Sequence, residues 1–417
     1  MLSPTRMHTL ALALKRRIRR NLGVPHDPYP SPPEGVHLSP SARHFHDYGA
    51  APLRLSWQNC ESENATEWQG NARAKLVELS GYCKPEKIPE ARHETTHKIA
   101  NNLIRRSSYL RMGGGRDIPV HLIFDKSLTG PLPVMICLQG TNSGIHLSWG
   151  EVRLPADVER IARGSPNALQ AAARGYVAVA VEQSCFGERR EHNIAKPSRD
   201  PCIDAANHAL LLGRTLLGER VEDVSAVINW LYGGGHGLTL DFPRLHIMGN
   251  SSGGTTALYS GALDLRIQAA LVGGSTGYLR ETIGRRSDAS GQNVIPNILN
   301  WLEMDDILAL LAPRPVLLFS GKEDHIWPYA GTEAVADSET ALEKSTASRG
   351  LLVVEPNEAD LYGYVDEMEN VRDCILKGDE PLADWSYAVE IVRLVAAAYM
   401  AGERGITVDL TDPAVNE

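Results

Sequence analysis

The chain has 417 residues, 43% of them hydrophobic and 22% charged, with a formal net charge of −9. That is enough chain to bury a sizeable core and it excludes a disordered body, while the acidic balance argues against a nucleic-acid partner, which needs a strongly basic face. No apolar run approaches the roughly 20 residues of a membrane-spanning helix. The six cysteines are scattered, with no histidine at ligand spacing, so neither a metal site nor a disulfide framework is expected and a reducing, cytoplasmic compartment is.

Near the N-terminus an apolar run from Leu10 to Leu14 precedes Lys15, Arg16, Arg17, Arg19 and Arg20, the reverse of the charge order in an export signal. It reads as a solvated leader, with a basic amphipathic helix touching a membrane or a partner as the alternative. Residues 1–65, rich in proline and histidine (Pro28, Pro30, Pro32, Pro33, His44, His46), form a partly irregular arm, and residues 66–417 the main domain. From 66 to 110 the apolar spacing is helical. Residues 117–125 alternate like a half-buried strand and 132–138 form a continuous apolar run, like a strand covered on both faces.

Strands and helices then take turns. A helix ending near Arg174 leads into a strand from Tyr176 to Val181, and a helix over 219–231 precedes a strand from Leu245 to Met248. The glycines between Gly233 and Gly237 make a loop without the following helix that a dinucleotide fingerprint requires. A helix starting at Ser251, a strand from Ile267 to Val272, a helical stretch from Ile295 to Leu311 and a strand from Val316 to Ser320 follow. The strand Leu351 to Glu355 and the helix Ser386 to Met400 close the pattern. Alternation of this kind predicts an α/β fold with one doubly wound, mostly parallel sheet.

The segment Gly249-Asn250-Ser251-Ser252-Gly253 fits Gly-x-Ser-x-Gly, with an apolar strand before it and a helix after it. Such a turn lifts the central hydroxyl to the carboxyl end of the sheet, where a helix N-terminus favours negative charge. Ser251 is therefore the candidate nucleophile and the Ser252 N–H a candidate oxyanion donor. A second donor is expected from the loop Gln139 to Gly144, with Thr141 as the candidate. Asp324, just past the strand at 316–320, stands where an imidazole-orienting acid belongs in the chain order serine, acid, histidine, and Glu323 is the alternative carboxylate.

This elbow, with Leu212 to Arg220, Phe186-Gly187-Glu188-Arg189 and Ala312-Pro313-Arg314-Pro315, resembles α/β hydrolases of the dienelactone-hydrolase and acetyl-xylan-esterase-like group. The likeness spans about 66–400. It implies the α/β-hydrolase fold, a serine-dependent esterase or deacetylase acting on a small-molecule or carbohydrate-linked ester, and no cofactor. It carries over Ser251 as nucleophile and Asp324 as acid, and leaves a homodimer open.

The resemblance also implies a base histidine in the loop at 354–362, and the sequence departs from it there. Ala359 occupies the expected position and His325 is the last histidine of the chain. Four readings compete: His325 as a displaced base; His146 or His192 entering the cleft from another side; Asp360 or Glu358 as a carboxylate base; or a catalytically impaired pseudo-hydrolase or ligand-binding protein on the same fold. Gln139, His146, Glu182 and Arg189 lie at the carboxyl edge, where open sheets bind ligands, and are candidate substrate contacts. The competing reading has Arg189 and Arg214 tying loops together through carboxylates.

Overall fold

The computed structural model describes residues 31–60, 64–100, 102–285 and 291–335. The basic stretch at 10–20, the expected strand at 351–355, the expected helix at 386–400 and the loop around Ala359 lie outside them. Two compact units divide between Ala51 and Pro52. In the first, helix α1 (Pro40–Gly49) starts on a proline, whose missing N–H would have found no partner in a first turn.

The second unit carries, in chain order, α2 (Ala65–Ser80), β1 (Glu90–Ala100), β2 (Leu103–Arg111), β3 (Asp117–Asp125), β4 (Leu132–Leu138), α3 (Pro155–Ala162), α4 (Asn167–Ala173) and β5 (Val177–Val181). Then come α5 (Ile203–Leu211), α6 (Leu216–Tyr232), β6 (Leu240–Asn250), α7 (Ser252–Leu263), β7 (Ala269–Gly273), α8 (Met304–Ala309) and β8 (Val316–Phe319). The strands form one sheet in the order β1-β2-β3-β5-β4-β6-β7-β8, antiparallel from β1 through the β3–β5 pair and parallel from β5 to β8.

Both faces of the central strands are covered, which is why they read as unbroken apolar runs. Val134, Ile136, Leu138, Val177, Val179, Leu245 and Ile247 pack on one side with α6 and α7 residues such as Val224, Val227 and Leu258. Met135, Cys137, Ala178 and Ala180 alternate to the other side, where the small residues Ala168, Ala171 and Ala172 of α4 allow close approach. Burying each such Val, Leu or Ile contributes about 1.5–3 kcal/mol.

Two expectations are corrected. The stretch 66–110 is helical only to Ser80: Gly81 closes α2 at φ +66°, and an added Cβ there would lie 2.7 Å from the Gly213 oxygen. Beyond it β1 and β2 form an antiparallel hairpin. Strand β1 was hidden because it is exposed along nearly its whole length, so no alternation of apolar residues marks it; its charges suit an edge that must not pair with another chain. The stretch 295–311 is not one helix. Asn297 sits at φ +66° and breaks it, leaving a single 3-10 turn over Ile298–Asn300 and the short α8, which begins where the Glu303 side chain accepts the Met304 N–H at 2.8 Å.

Strand register lines up the working edge. Leu138 is level with Val181 and with Gly249, Asn250 with Gly273, and Gly273 with Phe319. The residues just past these positions, Glu182, Gln139, Ser251, Gly274 and Ser320, therefore run across the sheet as a single row.

Candidate active site

Ser251 joins β6 directly to α7 with φ +54° and ψ −121°, a conformation that costs a non-glycine residue on the order of 1–3 kcal/mol. Its N–H donates to the Gly273 oxygen at 2.7 Å, which ties the turn to β7. Close packing sets the turn's shape. An added Cβ on Gly253 would lie 2.5 Å from the Leu138 oxygen and 2.6 Å from the Gln139 oxygen, so only glycine lets the first turn of α7 rest against the end of β4. The loop after β4 meets the elbow from the other side: a Cβ on Gly140 would lie 2.9 Å from the Asn250 oxygen and 3.5 Å from Ser251 Cβ.

The two adjacent serines are in opposite states. Ser252 is buried; its Oγ accepts from Arg220 Nη1 at 2.8 Å and donates to Gln292 Oε1 at 2.6 Å. Ser251 is half-buried, and among the described residues no group hydrogen-bonds its hydroxyl. Ser252 Oγ thus has both its donor and its acceptor capacity in use, whereas no described residue engages Ser251 Oγ.

On the acid side, Asp324 follows β8, and its Oδ1 accepts the N–H groups of Ile326 and Trp327 at 2.8 and 3.0 Å. Its other oxygen faces the elbow. The point where Gly274 would carry a Cβ lies 3.6 Å from Asp324 Oδ2 and 3.9 Å from the Ser251 nitrogen. Gly274 itself is at φ +52°, so a side chain there would be strained as well as intrusive. His325, beside the acid, is exposed and makes no hydrogen bond to Asp324 among the described residues.

Of the four candidate substrate contacts, Gln139, Glu182 and His146 are buried and Arg189 is half-buried. Glu182 Oε1 accepts from the Gln139 side chain, and the Ile145 N–H lies 3.1 and 3.2 Å from its two oxygens. Gly187 presses on the same carboxyl, leaving no room for a Cβ. Burial raises the Glu182 pKa to about 7, against the lowering effect of the Ile145 and Glu188 N–H groups. His146, also buried, shares its Nε2 with Asp157 Oδ2 at 3.0 Å. Burial acts to raise the Asp157 carboxyl, and is outweighed by the hydrogen bonds of Ser143, His146 and the N–H groups of Leu154 and Arg153, so the group sits well below the usual carboxylate range. Arg189 reaches the Glu182 carbonyl at 3.1 Å and Asp223 Oδ2 at 2.6 Å, while Arg214 pairs with Glu219 at 3.3 Å. Gln139 is fixed again through its own carbonyl, which accepts from Gln183, itself held by Thr256.

Sequence reasoning missed three residues that organise this edge: Gln292, Arg220 and Asp223. Arg220 and Gln292 are buried side chains that reach the elbow from α6 and from a distant turn. Only Arg220 lies within a motif that carries the family resemblance, and nothing in its neighbourhood in sequence points to the partner it meets. Three tryptophans pack around this half of the sheet: Trp149 lies 4.6 Å from His121 between ring centroids, in a tilted pair, Trp327 is buried in the main core, and Trp301 lies under Lys75 at 4.2 Å.

A strained serine between a central parallel strand and the helix it feeds, with an acid past the next-but-one strand, defines the α/β-hydrolase class. A model of the Abhydrolase family matches residues 55–328, about two thirds of the chain, and the chain belongs to that family. It is 22% identical over 244 residues to the candidate hydrolase YtaP of Bacillus subtilis, covering 56% of this chain and 74% of that protein. Among solved structures it is similar to a candidate acetyl xylan esterase of Bacteroides fragilis (TM-score 0.62, 19% identity, 78% of this chain and 84% of the other). It is also similar to a glucuronoyl esterase of Solibacter usitatus (TM-score 0.51, 16% identity, 74% and 86%). At such identities the shared property is the fold. No helix among the described residues is long and apolar enough to cross a membrane.

Proposed function

We propose that the protein hydrolyses carboxylic esters of small molecules or carbohydrates through an acyl-enzyme on Ser251. The observation that carries this reading is the Ser251 hydroxyl at a strained elbow, which no described residue hydrogen-bonds, flanked by the loop of Thr141 and by the Asp324 carboxylate. Ser251 Oγ attacks the acyl carbon and its proton passes to an imidazole; the carbonyl oxygen, now negative, is received by the N–H groups of Thr141 and Ser252 at the start of α7. The alcohol leaves with that proton. Water then attacks the acyl-enzyme, returning Ser251 and releasing the acid. Gln139, Glu182, His146 and Arg189 shape the loops around the reaction from inside, and the substrate meets the exposed rim at Thr141.

His325, the last imidazole of the chain and the neighbour of Asp324, is the base in this reading, which requires its exposed ring to turn toward the acid. The names of the similar esterases favour an acetylated or uronate-esterified sugar as the ester. The test is turnover of p-nitrophenyl acetate and of acetylated xylan by the full chain. Loss of about 10³-fold or more in Ser251→Ala is expected. A second reading, a ligand-binding protein on the same fold, is favoured by the lack of an imidazole on Ser251 among the described residues; it predicts that Ser251→Ala and the parent chain give the same background rate.

A further inference from the structure

We propose that Gln292 is a positioning residue for the oxyanion hole: one buried amide that bridges the Thr141 loop to Ser252 and so fixes the gap between the two donor N–H groups. The inference rests on the proposed role of Ser251. The two proposed donors belong to separate segments, the loop after β4 and the first turn of α7. Main-chain packing through Gly140 and Gly253 brings these segments together, but their side chains are joined by Gln292, whose Nε2 donates to Thr141 Oγ1 at 3.3 Å and whose Oε1 accepts from Ser252 Oγ at 2.6 Å.

Arg220 holds this amide from behind. Its Nη1 donates to Gln292 Oε1 at 2.9 Å and to Ser252 Oγ at 2.8 Å, closing a three-membered ring of hydrogen bonds. Its Nη2 is anchored on the Ser184 carbonyl at 2.7 Å, and its guanidinium lies 5.0 Å from the Phe186 ring centroid. The ring also fixes the direction of the amide. Oε1 faces the Arg220 and Ser252 donors, so Nε2 must point to Thr141. Arg220 and Gln292 are both buried, so replacing the amide with an apolar group leaves one Nη1 hydrogen of Arg220 and the Ser252 hydroxyl without their acceptor and frees the Thr141 loop from the helix.

A donor displaced by a fraction of an ångström stabilises the ground-state carbonyl nearly as well but the developing oxyanion much less, so the effect belongs in kcat. The experiment compares the full chain with Gln292→Met, which keeps the shape and removes both polar ends, and with Gln292→Glu. In the latter one oxygen faces Arg220 and Ser252, and the other accepts from the Thr141 hydroxyl. Ester turnover and the rate at which a fluorophosphonate labels Ser251 are both read, because the phosphoryl oxygen of the probe occupies the same hole. Gln292→Met is expected to lower kcat and the labelling rate together by about 10- to 100-fold with KM changed less than threefold, and Gln292→Glu to restore both to within about threefold. Thr141→Val is the second variant. Thr141 is exposed, so the loss of its hydroxyl cuts only the loop end of the bridge, and a three- to tenfold slower labelling is expected. Labelling at the parental rate in Gln292→Met, or in Thr141→Val should the first variant not fold, overturns the bridge alone. A parent chain that neither labels nor turns over overturns the role of Ser251 and the bridge with it.

Discussion

The two flanks of Ser251 are built by different means. On the nucleophile flank, glycines at 140 and 253 allow backbones to touch, and a buried ring of Arg220, Gln292 and Ser252 locks the contact from below. On the acid flank Asp324 sits in one turn, held by two main-chain N–H groups, with an exposed histidine beside it. The first flank has its geometry fixed by sterics and buried polar bonds that cannot be remade with water. The second is fixed by local hydrogen bonds at the surface, and an acid there can be exchanged or re-aimed at small cost to the fold. Stability and chemistry should therefore separate between the flanks.

The sharpest way to break that contrast is Asp324→Asn. The two N–H bonds can still be accepted by the amide oxygen, so the melting temperature should barely move while kcat falls by about 10²- to 10⁴-fold; equal activity in the variant removes Asp324 from the reaction. Gly253→Ala is the converse. Its Cβ would enter the space of the Leu138 and Gln139 carbonyls, and a loss of about 3 kcal/mol in denaturant unfolding is expected, with activity falling through displacement of Ser252. Unchanged stability would mean that the elbow is looser than its packing indicates.

A smaller effect distinguishes the two flanks by pH. Glu182, under the loop that follows β4, has its pKa raised by burial from 4.5 to about 7. The folded chain then keeps a proton that the unfolded chain releases, so the contribution of this group is full below pH 4.5 and is lost as pH rises through 7. Glu182→Gln carries no such proton. Relative to the parent, its stability should improve by on the order of 2–3 kcal/mol between pH 4 and pH 8. Parallel stability profiles for the two chains would show that the carboxyl titrates as in the unfolded state.

Much of this was readable from residues close together in sequence. Strands β4 and β5 announce themselves because both faces are buried, and the elbow because its glycines and its strand-to-helix context are contiguous. Strand β1 was not readable, since an exposed edge strand has no reason to alternate. The broken stretch 295–311 was misread because Asn297 in a left-handed conformation interrupts an otherwise apolar periodicity, and side-chain type alone does not dictate that choice. The reading of Glu182, His146 and Arg189 as cleft residues followed from their place at strand ends. The bonds that tie them to Ile145, Asp157 and Asp223 depend on contacts across the fold. Gln292 carried no signal at all, because its meaning comes from Arg220, Ser252 and Thr141, none of them near it in the chain.

The most direct measurement is intact-mass and peptide mapping of the folded full chain after exposure to a fluorophosphonate. A single adduct on Ser251, absent from Ser251→Ala and leaving Ser252 unmodified, is the predicted result. A folded chain that takes up no label, or takes it on Ser252, contradicts the assignment of the Ser251 hydroxyl as the nucleophile.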